Sequence, residues 1–170
     1  VHIKIDTGMG RLGLSPDVAV DFISKFLGHG NLSLEGIYTR FASADSDLEF
    51  TKHQLSLFLN VLSKLKEGKI ETPLKHCANS AAIFSLKDSC LNMVCPGIAL
   101  YGINPTQNNS VELLLAMSVK AKVIEVKELH AGHSISYGRT CTLTRKSKVA
   151  VTGIGYAQDF SARSPIKEMF

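Results

Sequence analysis

Apolar and polar positions alternate through VHIKI, from Val1 to Ile5, and predict a short β-strand with one buried face. The alternation breaks over Thr7 to Gly13. Ser15 and Pro16 then supply a helix cap and a proline at the first helical position. Val18, Val20, Phe22, Ile23, Phe26 and Leu27 form an apolar stripe at helical spacing that stops at Gly28. LEGIYTRFASAD, residues 34–45, reads as a second strand, and Phe50, Leu55, Leu57, Phe58, Val61, Leu62 and Leu65 mark a second helix ending near Gly68. LKHCANS at 74–80 predicts a third strand, and residues 81–86 a short helix. LNMVCPGIALYG at 91–102 predicts a fourth strand, broken at Pro96-Gly97. Such alternation of strand and helix is the pattern of βαβ units on a parallel sheet.

Beyond Asn104-Pro105 the pattern changes. TQNNS is a polar connector, and VKAKVIEV, a turn at HAGH, SISY and KVAVTGI follow as strands with no amphipathic helix between them. An antiparallel β region is expected there, with a boundary near residues 105–112 that divides the chain into domains 1–108 and 109–170. The fold class is α/β: four βα units read as half of a TIM-type (β/α)8 barrel, followed by the start of an antiparallel β domain. Residue 1 is Val and lies inside a strand pattern, so the chain reads as a piece of a longer one.

Composition narrows the partners. A chain of 170 residues with 45% hydrophobic and 20% charged residues can bury one good core, with or without a smaller satellite. The net charge of +4 is scattered, with only Arg145, Lys146 and Lys148 approaching a block, so no nucleic-acid footprint is expected. Cys77, Cys90, Cys95 and Cys141 show no C-x-x-C pair and no histidine at zinc-ligand spacing. Free thiols in a reducing cytoplasm are expected, with no bound metal. No apolar run reaches about 18 residues and no basic-then-apolar leader opens the chain, so neither a membrane span nor a signal peptide is expected.

Gly8, Gly10 and Gly13 fall at the spacing G-x-G-x-x-G after the first strand. In a dinucleotide-binding turn the third glycine lies within the helix and an acidic residue closes the next strand. Here the cap at Ser15 follows all three glycines, and the second strand ends in Thr39, Arg40 and Phe41. Asp6 at the strand's carboxyl end would also repel a phosphate. The dinucleotide reading is therefore set aside. A purely structural glycine turn leaves Asp6, Thr7 and Arg11 unexplained.

In parallel α/β barrels chemistry collects at the carboxyl ends of the strands. The ends here carry Asp6 to Arg11, Thr39-Arg40, His76 to Ser80 and Cys95 to Ile98. Ser80 places a hydroxyl at a helix start, and Gly97-Ile98 offers two backbone N–H groups, so together they are candidates to hold one phosphate. Such barrels often seat phosphate after strands seven and eight, which makes these the last four strands. His76 is read as a packed strand-end residue, His130 and His133 as solvated, Tyr38 and Tyr101 as core or supporting residues, and Tyr137 as structural.

VHIKIDTGMGRLGL, EGIYTRFASAD, KHCANSAA, PGIALYG, SISYGRT and GIGYA resemble, in order and spacing, segments of the alanine racemase family, whose enzymes use pyridoxal 5′-phosphate. The resemblance runs over nearly the whole chain. It implies an N-terminal barrel, a C-terminal β domain and a head-to-tail homodimer in which each β domain completes the partner's site. It implies a small amino acid as substrate, with alanine foremost. Arg11 would hydrogen-bond the cofactor's phenolic oxygen and place the substrate carboxylate, and Ser80, Gly97 and Ile98 would bind the phosphate. Tyr156 would be the base that takes the α-proton of the L-enantiomer, opposite the lysine that holds the cofactor. A phenol with a reference pKa near 10 needs a cationic neighbour for that task.

The chain also departs from the family's pattern. That lysine belongs to a segment upstream of Val1, so the chain by itself is expected to be inactive. Arg40 stands where the family has His, and Cys95 where it has an arginine that faces the pyridine nitrogen. A thiol cannot be a permanent cation, and Arg40 is the candidate to supply the charge from the neighbouring strand end. Gln158 and Phe160 replace the usual Asp and Gly, which leaves substrate preference open. Two alternatives remain: a racemase of another amino acid, and a non-catalytic cofactor-binding or dimerisation relative.

Overall fold

The computed structural model describes residues 1–106, 111–155 and 157. The chain divides into two compact units, Val1–Met117 and Ser118–Phe170. In the first, β1 (His2–Lys4), β2 (Gly36–Tyr38) and β3 (Leu74–His76) form a parallel sheet in that order. Helices α1 (Pro16–Leu27) and α2 (Leu48–Glu67) connect these strands, and α3 (Ser80–Ser85) follows β3.

The alternation in VHIKI has the expected result. Ile3 and Ile5 are buried while His2 and Lys4 take the other face. Ile3, Ile5 and Ile37 meet Ala19 and Ile23 of α1 and Leu55, Phe58, Val61 and Leu65 of α2 in one core that extends to Ala78, Ala81 and Ala82. Helix α1 starts at Pro16 behind Ser15, whose side chain makes no capping bond. The start of α2 is better secured: the Asp47 carboxylate accepts the Phe50 N–H at 2.9 Å, and Lys64 and Lys66 sit in the last turn before Gly68.

The expected fourth strand does not form. Residues 91–102 touch the sheet through a single parallel bridge, His76 with Met93, and continue into a 3-10 turn at Ile98–Tyr101. Pro96 lacks an N–H for a ladder. Asn92 takes over part of the ladder with its side chain, accepting the Lys75 N–H at 2.7 Å and donating to the Pro73 carbonyl at 2.7 Å. Tyr101, read as a core or supporting residue, is 61% exposed because that turn points its ring outward. The Ala116 N–H then donates to the Tyr101 carbonyl, so residues beyond the connector return to this unit.

In the second unit β4 (Val123–Leu129) pairs antiparallel with β7 (Ser147–Thr152), and β5 (Ser134–Ile135) with β6 (Cys141–Thr142). His130 and His133 are exposed around the turn at Gly132, and Tyr137 is 86% exposed. The expected boundary at 108/109 lies outside the described residues. No helix among the described residues is long and apolar enough to cross a membrane. Among them no group of three or more His, Cys, Asp or Glu is placed to hold a metal ion.

Candidate functional site

The glycine loop folds back on its own strand. Leu14 N–H donates to the Lys4 carbonyl at 2.9 Å, and Asp6 N–H to the Leu14 carbonyl at 2.7 Å. One Asp6 oxygen accepts N–H groups from Gly8, Met9 and Gly10 at 3.1, 2.8 and 3.2 Å. The Gly8 bond leads in holding this carboxyl below its ordinary range, with Gly10, Met9 and Lys4 adding and burial opposing. Asp6 thus occupies the donors that a dinucleotide turn would aim at pyrophosphate. Asp6, Gly8, Gly10, Gly13 and Ser15 line a shallow concavity of about 370 Å³.

A second cavity, of about 340 Å³, opens at the carboxyl ends of β2 and β3 and is lined by Arg40, Asp45, Asn79, Ser80, Ala81, Cys95, Gly97, Ile98 and Pro105. Three separated segments meet there. Asn79 caps α3 by accepting the Ala82 N–H at 3.0 Å, which fixes Ser80 as the first helical residue. Ser80 Oγ accepts N–H groups from Gly97 at 2.9 Å and Ala99 at 3.2 Å. The Gly97 N–H, expected to be open to an anion, is therefore engaged; an incoming phosphate can take the hydroxyl's own proton or displace the hydroxyl as acceptor.

Behind this cavity His76 is buried, with its ring stacked on Tyr38 at a 4.7 Å centroid distance. Its Nδ1 lies 3.3 Å from Cys95 Sγ and its Nε2 3.2 Å from His2 Nδ1. Burial first, then the His2 and Arg40 charges, hold this imidazole below the ordinary histidine value. The four cysteines are free, and burial, with a smaller push from Cys90, raises the Cys77 thiol to about 12.

Arg40, Ser80, Gly97 and Ile98, picked out from the sequence, share the second cavity. Arg11 is exposed on the glycine loop and is not among the lining residues of either cavity. The order β1-β2-β3 sets the carboxyl ends of β1 and β3 roughly 10 Å apart, two strand spacings. Tyr156, Gln158 and Phe160 lie outside the described residues. Gln54 was missed. It is fully buried, accepts the Ala42 N–H at 2.9 Å, and donates to Thr7 Oγ1 at 3.3 Å and the Arg40 carbonyl at 3.2 Å, fastening the ends of β1 and β2 to α2. Its signal was a polar residue at helical spacing from Phe58 and Val61.

Residues 1–105 match the family model "Alanine racemase, N-terminal domain", and residues 116–167 match "Alanine racemase, C-terminal domain". The alanine racemase of Halothermothrix orenii is 44% identical over 163 residues, 94% of this chain and 43% of that protein. A solved alanine racemase of Clostridium difficile 630 matches with a TM-score of 0.79 at 39% identity, over 95% of this chain and 44% of that one. A histidine racemase from Leuconostoc mesenteroides matches with a TM-score of 0.71 at 28% identity, over 92% and 43%. The chain spans less than half the length of these relatives. With both family models aligned in order along it, the chain belongs to the alanine racemase family.

Proposed function

We propose that the protein containing this chain is a pyridoxal 5′-phosphate-dependent alanine racemase, and that the chain contributes the later strands of its barrel and the beginning of its β domain. The single observation that carries the reading is the cavity in which Arg40, Ser80, Gly97 and Ile98 converge from three segments. Its volume lies within the range of small-molecule sites. A hydroxyl, backbone amides and a guanidinium suit a ring that bears a phosphate. When bound, the cofactor supplies an electron sink for charge developing at an amino acid's α-carbon.

The chain's own residues then divide the work. The Ser80 hydroxyl, with the Gly97 and Ile98 amides, holds the phosphate oxygens. Arg40 provides positive charge in the cavity where Cys95 has none to give. Arg11 places the substrate carboxylate by a bidentate contact. Tyr156, from the neighbouring subunit of a head-to-tail homodimer, exchanges the α-proton on the face opposite the lysine. Domains 1–108 and 109–170, in a cytoplasmic enzyme, complete the reading, with residues 111–117 returning onto the first.

One observation favours a second substrate: the fold is shared with a histidine racemase. The deciding experiment is polarimetry on the complete protein with pyridoxal 5′-phosphate, offering L-alanine, D-alanine and L-histidine. Interconversion of the alanine enantiomers is expected, with Ser80→Ala weakening cofactor binding about tenfold, the worth of one hydrogen bond. Racemisation of histidine without alanine transfers the proposal to the second substrate. No racemisation at saturating cofactor overturns it.

A further inference from the structure

We propose that Cys95 is a site of covalent modification by small electrophiles, activated by an imidazole relay that runs from the cavity through His76 and His2 to Glu35. The inference uses no bound cofactor; because Cys95 lines the cavity proposed for the cofactor, the labelling is read on cofactor-free protein.

The contacts admit one proton arrangement that activates the thiol. Glu35 is acceptor only, and its carboxylate lies 3.6 Å from His2 Nε2, at ion-pair rather than hydrogen-bond distance; in this arrangement that nitrogen carries the proton. His2 Nδ1 is then the acceptor and His76 Nε2 the donor across their 3.2 Å contact. That leaves His76 Nδ1 as a lone pair facing the Cys95 thiol at 3.3 Å. The depressed proton affinity of His76 keeps this lone pair available at neutral pH. Other charges around the relay are Arg40, which acts on His76 and shares the cavity with Cys95, Asp45 on the cavity wall, and Lys4 on the His2 face of β1.

Gly36 makes the relay possible. The His2 ring crosses β2 above it, and a Cβ at position 36 would stand 2.6 Å from His2 Cε1 and 2.7 Å from Nδ1. An alanine there turns the ring aside without meeting the backbone. Cys77 offers the contrast within the same fold: buried, bonded to the Ser89 carbonyl at 3.1 Å, and raised to about 12.

With iodoacetamide as the probe, Cys95 Sγ attacks the methylene carbon, the S–C bond forms, the C–I bond breaks and iodide leaves. The thiol proton passes to His76 Nδ1 while the His76 Nε2 proton passes to His2. His2 releases a proton to solvent beside Glu35.

The test follows labelling of each cysteine by peptide mass mapping in the unaltered chain and in Gly36→Ala and Glu35→Gln. At neutral pH Cys95 is expected to label about tenfold faster than exposed Cys141, with Cys77 unlabelled. Both variants should lower the Cys95 rate several-fold and leave the Cys141 rate unchanged. Should a variant fail to fold by circular dichroism, the unaltered chain still decides, through the Cys95 to Cys141 rate ratio at neutral pH. Labelling of Cys95 no faster than Cys141, or folded variants with an unchanged ratio, overturns the proposal.

Discussion

Gln54 shows how one side chain can hold two strand ends and a helix together. All of its hydrogen-bonding partners, Thr7, Arg40 and Ala42, sit beside strand ends, and none is a residue of its own helix. Gln54→Leu keeps the volume but removes the side-chain partner of the Ala42 N–H and the Arg40 carbonyl, both in partly buried contacts. A loss of about 2–4 kcal/mol is expected in urea unfolding of the chain; a loss below about 1 kcal/mol would show that water reaches these groups. Asp6 teaches the complementary point. Its carboxyl was legible as a charge that repels phosphate, whereas its partners, three N–H groups turned inward by the loop, depend on backbone angles that composition does not reveal. Arg40 and Ser80 were legible because they stand at strand ends, and the periodicity located those ends.

At the scale of elements, α1, α2 and the parallel order of β1, β2 and β3 follow from apolar spacing, caps and prolines. The fourth strand failed because periodicity counts apolar residues and does not ask whether Pro96 and Asn92 leave a ladder to be formed. The glycine loop offers the sharpest test at this scale. Gly13 has φ +124°, and a Cβ there would lie 2.9 Å from the Asp6 nitrogen and 3.0 Å from the Lys4 oxygen, both backbone atoms. Gly10 has φ +68° and open space around it. Gly13→Ala is expected to cost about 3 kcal/mol by thermal unfolding. Gly10→Ala should cost about 1 kcal/mol, the penalty of the left-handed region alone. Equal losses would mean that the return of Leu14 to β1 does not constrain the loop.

For the whole molecule, acid and solvent act unequally on the two units. His76 protonates less readily in the folded chain than in the unfolded one, so the unfolded state takes up the proton first as pH falls below about 6.5. This contribution is complete above that pH and is lost as pH falls through the folded value; Asp6, held low, adds a second loss beginning near its ordinary value. Thermal midpoints of the first unit should fall below about pH 6.5, and His76→Gln should flatten that first step while leaving the lower one. Among its described residues the second unit has no such core. None of its described residues is buried, and Ile124 and Val126 of β4 are 68% and 59% exposed. A two-stranded ladder without a covering layer is marginal. Amide exchange should therefore be fast along β4 and β7 and slow at Ile37, Phe58 and Val61, whose protection reports global opening of the first unit. Equal protection in the two units would mean that β4 and β7 are covered in solution, and loss of that protection on dilution would identify a second copy of the chain as the cover.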